Sequence, residues 1–197
     1  MPDKAVLRRC TREELDLIRS EVLCHSSGGL VGLDVLCAGA PGSGCVEVLA
    51  VHPSASAEAL GGGRPPFLAG VHAARICGGR VEPLMGLLSA LWGGIDRGYL
   101  IVDERAEAVF LYGRDVLPRG VIRRSPSPCG TYAVLNRRRE PLGWARRRGR
   151  VYANLVDAGW YLRSGLRGRG RPPLPHHGSG LGKHRIPRPP NSRANLI

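Results

Sequence analysis

The sequence predicts an α+β chain: an N-terminal α+β domain over residues 1–98, a small β barrel over residues 99–163, and a basic Pro/Gly-rich tail over residues 164–197. Three observations predict it. Short apolar runs bounded by Gly and Pro mix with helical patterns, without the rhythm of repeated βαβ units. Charge is divided unevenly: residues 1–98 hold 9 Lys+Arg and 10 Asp+Glu, net −1, whereas residues 99–197 hold 20 and 6, net +14. Residues 164–197 contain six Gly, six Pro, seven Lys+Arg and no acid, too little apolar surface to fold alone.

The elements follow in order. Thr11-Arg12-Glu13-Glu14 is a capping box, in which Thr11 accepts from the Glu14 amide and Glu14 reaches back. It opens a helix with Leu15, Ile18 and Val22 on one face, fading near Cys24–Gly28. Leu33–Ala38 and Cys45–Val51 are strands joined by the Gly/Pro-rich loop 39–44. Pro53–Leu60 is a short helix begun by proline and ended at Gly61-Gly62-Gly63. Phe67–Cys77 reads as a strand stopped by Gly78-Gly79. Pro83–Trp92 reads as an apolar helix with Pro83 in its first turn, stopped by Gly93-Gly94.

Gly98 marks the domain boundary. Tyr99–Val102 is a strand. In the stretch Ala106–Val121, Phe110-Leu111-Tyr112-Gly113 reads as the end of another strand. Asp115 caps a short helical turn that Pro118 stops, and Gly120 starts the next extended run. Val121–Arg124 leads into the loop Ser125–Gly130. Thr131–Leu135 is a strand, Asn136–Glu140 a charged turn, and Pro141–Arg146 a strand. Arg147-Arg148-Gly149 turns the chain, Arg150–Asn154 is the last strand, and Asp157 caps a closing helix over Ala158–Arg163. Several short strands and two small helices in this length suit a compact barrel of binding-module size.

The excess of positive charge in the second half calls for a polyanionic partner, nucleic acid before membrane. Only Lys4 and Lys183 are lysines, and arginine binds phosphate with two bonds and stacks on bases, which suits RNA. The candidate RNA-binding residues are Arg146, Arg147, Arg148 and Arg150, extended by Arg123 and Arg124, with Arg114 and Arg119 punctuating the preceding stretch. Strand alternation puts Arg146 and Arg148 on one side and Arg147 on the other. Phe110 and Tyr112 at i, i+2 would either stack bases or pack the core, and flanking Val109 and Leu111 favour the core. The same reading applies to Trp144, while Trp160 and Tyr161 pin the closing helix. The tail is either a grasping RNA-binding segment or a plain extension.

Six cysteines at 10, 24, 37, 45, 77 and 129 include no CxxC pair, so no zinc site is expected. No secretory signal precedes the first helix, and the longest apolar run, Pro83–Trp92, is too short to span a bilayer. The expectation is a cytoplasmic protein with reduced, buried thiols; Cys37 and Cys45, across a hairpin, are the possible pair. Enzyme chemistry finds no support. The segment His176–His184 lacks the first glycine of a phosphate loop, has His184 in place of Ser/Thr, and follows no strand. His176, His177 and His184 read as solvated. No GxGxxG follows a strand, and adjacent Cys24-His25 lack the geometry of a nucleophile and its base. No metal and no cofactor is expected.

Several strings carry a family resemblance. They are Arg8-Arg9 followed by Glu14-Leu15-Asp16-Leu17-Ile18, then Phe67–Gly70, then Ala106–Gly113 with Val116. Pro141-Leu142-Gly143 and Asn154-Leu155-Val156-Asp157 with Tyr161-Leu162-Arg163 complete them. In this order and spacing, from Val6 to Arg163, the chain resembles the ribosome-biogenesis family called nuclear import protein seven, and its archaeal branch more closely. The resemblance implies an α+β N-terminal domain and a C-terminal PUA domain, named for pseudouridine synthases and archaeosine transglycosylases. It implies RNA binding in ribosomal subunit assembly and pre-rRNA processing, other assembly proteins as partners of the N-terminal domain, and no catalysis. Archaeal relatives carry basic residues on the last PUA strand; Arg150 keeps one such place, whereas Ala153 and Val156 stand where lysine would be. Arg146, Arg147 and Arg148 move the positive patch onto the preceding hairpin. The alternative is a PUA-containing accessory subunit of an RNA-modification enzyme. A third reading is a protein–protein adaptor whose basic half aids solubility.

Overall fold

The computed structural model describes residues 6–39, 44–60, 70–160 and 163. The sequence readings for residues 67–69, for Tyr161 and Leu162, and for the tail with its three histidines lie outside the described residues.

The first half builds an antiparallel sheet in the order β1-β2-β3-β4-β5. Its strands are β1 (Val6–Arg9), β2 (Asp34–Gly39), β3 (Cys45–Val51), β4 (Val71–Cys77) and β5 (Arg80–Pro83). Helices α1 (Arg12–Leu23), α2 (Pro53–Leu60) and α3 (Met85–Leu91) accompany it. The capping box forms: Thr11 Oγ1 accepts from the Glu14 amide at 3.2 Å, and the Glu14 carboxylate accepts from the Thr11 amide at 2.7 Å. The same carboxylate receives both arms of the Arg8 guanidinium at 2.7 and 2.6 Å, tying β1 to the start of α1. That pairing, joined by the Thr11 bonds, holds the Glu14 carboxyl down at about 2.

Two differences from the sequence reading lie here. Gly78-Gly79 ends strand β4 at Cys77, as the sequence predicts, but leads directly into a further strand that the sequence reading did not include. Both residues have positive φ (55° and 72°), which only glycine adopts without strain, and they close a two-residue hairpin with Cys77 opposite Arg80. Strand β5 therefore exists, and Pro83 ends it on the sheet edge, where the missing N–H costs no ladder bond, instead of opening the helix. The cysteines are also not free. All six pair, as Cys10–Cys37, Cys24–Cys129 and Cys45–Cys77. Cys45 and Cys77 are register partners on neighbouring strands, a proximity that spacing in sequence could not reveal.

The second half forms another five-stranded sheet, in the order β10-β9-β8-β6-β7. Its strands are β6 (Tyr99–Val102), β7 (Val121–Arg124), β8 (Thr131–Leu135), β9 (Pro141–Arg148) and β10 (Val151–Asp157). All pairs are antiparallel except β6 with β8. An isolated bridge from Val116 to Tyr152 lays the segment before β7 along β10, so the sheet curls without forming a single closed barrel of paired strands.

Here the reading of Phe110–Gly113 as a strand end is corrected. Residues Glu104–Leu111 form helix α4. Asp103 caps it, accepting from the Ala106 amide at 2.7 Å, and Glu104 and Glu107 complement its first turn. Ala, Glu and Arg favour helix, and that preference with the cap outweighs a short apolar run. Phe110 is fully buried and Tyr112, at the helix C-cap, is 75% exposed, so the two share no strand face. Asp115 does not cap a turn; its carboxylate accepts from the Asn154 amide at 3.0 Å. Pro118 starts the 3-10 turn Pro118–Gly120 and does not stop one. Strand β9 continues through Arg148, and Arg150 lies in the hairpin turn before β10. Asp157 ends β10; its buried carboxylate receives the Arg163 guanidinium at 3.0 and 2.9 Å and the Asn154 amide group at 3.2 Å.

Among the described residues two apolar cores form. One packs Phe110, Leu100, Val102, Val134 and Tyr152 inside the second sheet. The larger joins Ile18, Val22, Val48, Leu87, Leu88 and Leu91 of the first half to Tyr99, Ala133, Leu135 and Trp144 of the second. It runs across the 98/99 junction. Trp144 is fully buried there, and its indole N–H donates to Leu84 O at 2.9 Å. At the junction Gly98 has φ +56°, and a Cβ on it would lie 2.2 Å from Cys24 O. No helix among the described residues is long and apolar enough to cross a membrane.

Candidate nucleic-acid interface

The site is built on the β9–β10 hairpin. Arg148 pairs with Val151, Arg147 with Tyr152 and Arg146 with Ala153, leaving Gly149 (φ 58°) and Arg150 as the two-residue tip. Since successive side chains point to opposite faces, Arg146 and Arg148 share the face of Trp144, and Arg147 shares the face of Ala145 and Tyr152. Arg147, Arg148 and Arg150 are exposed and Arg146 is half-buried. Among the described residues none of the four enters an ion pair. Arg147 Nε donates only weakly, to Gly149 O at 3.4 Å.

Register carries the same faces across the sheet. Thr131 lies opposite Arg146, Tyr132 opposite Ala145, and Leu100 opposite Arg124. Arg124 therefore sits on the inner face with Tyr132 and Tyr152. Its guanidinium donates to the Tyr152 hydroxyl at 3.2 Å, bringing β7 to the first residues of β10. The hydrogen bond to the tyrosine oxygen raises the Arg124 pKa above its ordinary value. Tyr132 and Tyr152 meet edge to face, with ring centres 5.2 Å apart. Arg123, opposite Ile101, projects from the other face.

The structure thus groups Arg146, Arg147, Arg148 and Arg150 on one hairpin and joins Arg124 to it through Tyr152. Arg123 lies on the same sheet face as Arg146 and Arg148, separated from β9 by β6 and β8. Arg114 and Arg119 are exposed on the connection between α4 and β7, outside the hairpin. The sequence reading missed the tyrosines. Tyr132 and Tyr152 sit in short strands without any pattern that pairs them, and only the register does.

One trio of possible metal ligands, Cys10, Glu14 and Cys37, clusters among the described residues. Its two sulfurs share a disulfide and its carboxylate is occupied by Arg8, so these groups do not present a metal site.

Comparison with known proteins bears on the second half directly. Residues 98–166 match the family model described as the UPF0113 PUA domain. No curated protein matches the chain. Among solved structures, the chain is similar in fold to a conserved PUA domain protein from Thermoplasma acidophilum. The TM-score is 0.51 at 15% identity, covering 80% of this chain and 98% of that one. A PUA domain structure from Aeropyrum pernix K1 follows at TM-score 0.48 and 16% identity, covering 82% of this chain and 92% of that one. The arginine hairpin accordingly belongs to a stretch, residues 98–166, that matches a PUA domain, a module that generally binds RNA.

Proposed function

We propose that the chain is a non-catalytic RNA-binding factor of ribosomal subunit biogenesis and pre-rRNA processing. Its second half would hold the RNA and its first half would meet other assembly proteins. The observation that supports this most is the β9–β10 hairpin of the PUA-matching half. Four arginines, none in an ion pair among the described residues, stand on a few consecutive positions there. Such a group binds phosphate without a competing carboxylate, and splayed bases would supply any specificity. The near-neutral first half is a poor phosphate binder and suits protein contact. Action in the cytoplasm together with three disulfides is the pattern of intracellular proteins of hyperthermophiles.

The test is sedimentation of the full chain from cell extract, with crosslinking to RNA. Co-migration with pre-ribosomal particles and crosslinks to rRNA precursors are expected. Turnover of labelled RNA by the chain with a catalytic partner would instead select an accessory subunit of a modification enzyme. Absence of RNA binding at low salt would leave the adaptor reading.

A further inference from the structure

Trp92 is 69% exposed, although it ends an apolar helix. It borders a cleft of about 740 Å³ whose other walls include Ser27, Gly93, Asp96, Tyr99 and Arg139. It also lines a smaller hollow of about 140 Å³, together with Arg138, Arg139 and Leu135. Trp92 thus lines two openings at the seam of the two halves, and Arg138 and Arg139 line the smaller one with it.

The turn that carries these two arginines is fixed, and the Arg139 guanidinium is held in place. Asn136 organises the β8–β9 turn: its side-chain oxygen accepts from the amides of Arg138 at 3.0 Å and Glu140 at 2.9 Å. Arg139 has φ 65°, a left-handed conformation that a non-glycine residue adopts only where its surroundings impose it. Its guanidinium lies 5.0 Å from the centre of the Tyr99 ring and donates to Ile95 O at 2.8 Å. Arg138 is exposed and enters no ion pair among the described residues. Asp96, the one acid lining the cleft among the described residues, is already engaged by the Ser27 hydroxyl and by Arg97 at 3.1 Å. What faces the solvent is a largely exposed tryptophan that shares a hollow with two arginines.

We infer that Trp92, Arg138 and Arg139 form a second RNA contact. One unpaired base stacks on the indole and its phosphate lies against the guanidiniums. A base and its phosphate match this combination: the base covers an exposed aromatic side chain and the phosphate meets guanidiniums that enter no ion pair among the described residues. The contact lies at the opposite end of β9 from the arginine hairpin, so a strand that reaches both would run along the second sheet. This inference rests on the RNA-binding reading above.

The experiment uses the full chain and a short single-stranded oligoadenylate, read by tryptophan fluorescence and by filter binding at two salt concentrations. Of the other two tryptophans, Trp144 is buried and Trp160 half-buried, so quenching on RNA addition reports mainly on Trp92. Trp92→Ala should lose the quench and weaken binding roughly 5- to 150-fold, as loss of one base stack does. Trp92→Phe should keep most of the affinity, and Arg138→Ala should flatten the log-affinity against log-salt slope by ~0.7. Wild type that binds, with Trp92→Ala and Arg138→Ala unchanged, would overturn this second contact and leave the hairpin reading standing. Wild type that fails to bind at low salt would overturn both.

Discussion

Thr131 Oγ1 donates a 2.5 Å hydrogen bond to the Glu21 carboxylate across 110 residues of sequence. Both groups are buried, and His25 completes the cluster: its Nδ1 donates to Gly98 O at 3.0 Å and its Nε2 lies 3.2 Å from Thr131 Oγ1. The His25 ring also meets Trp144 edge-on, with centres 4.6 Å apart. The two halves are thus joined by a polar network set in the larger core, where each member needs the others. Thr131→Val, equal in shape, should leave Glu21 short of a donor and lower stability by about 1–3 kcal/mol. Thr131→Ser should restore most of it. Denaturant midpoints of the two variants decide the matter; an unchanged midpoint for Thr131→Val would mean the bond contributes nothing net.

The arginine hairpin predicts a salt dependence. Replacing Arg146, Arg148 and Arg150 by Ala removes three charges from largely exposed positions, so the fold should persist. Affinity for single-stranded RNA should fall across sequences. If all three contact phosphate, the log-affinity against log-salt slope should flatten by about 2, at ~0.7 per contact. A folded triple variant with the wild-type slope would move the site to Arg124, Arg114 or Arg119.

The disulfides predict an order of stabilisation. Cys24–Cys129 spans a separation of 105 residues, Cys45–Cys77 spans 32 and Cys10–Cys37 spans 27. Chain-entropy reasoning gives about 4.8 kcal/mol for the first and about 3.6 for each of the others. Removing each pair by double Ala substitution and measuring unfolding should show the largest loss for Cys24/Cys129. Alkylation followed by mass measurement should label all six thiols after reduction in denaturant and none before.

Acid should weaken the link between β1 and α1. Glu14 drops from its ordinary 4.5 to about 2 in the folded chain, through Arg8 first. A carboxyl depressed on folding stabilises above its unfolded value, and that contribution disappears as pH falls through the folded one. Melting temperatures of wild type and Glu14→Gln should therefore differ most above pH 4.5 and converge as pH approaches about 2. A constant gap over this range would show that the ion pair does not titrate with folding.

Much of the local structure was legible because its causes are local. The Thr11–Glu14 box needs only residues three apart, and helix α1 follows from it. Pro53–Leu60 and Cys45–Val51 have the bounds that proline, glycine and β-branched residues give them. The uneven charge, a sum over the chain, pointed to the basic half that matches a PUA domain. Where two local preferences compete, as in the apolar run around Phe110, the Asp103 cap ahead of the run and the core behind Phe110 made the choice.

The sequence by itself determined the capped helix α1, the bounds of strand β3 and helix α2, and where positive charge accumulates, since capping, backbone propensity and composition act within a few residues or add up without regard to order. Only the tertiary structure decided which cysteines meet, that Arg124 reaches Tyr152, that Thr131 satisfies Glu21, and that Trp92 stands in solvent while Trp144 is enclosed. Each of these depends on strand register and on packing between distant segments, and a one-residue shift in register would send every side chain of a strand to the other face.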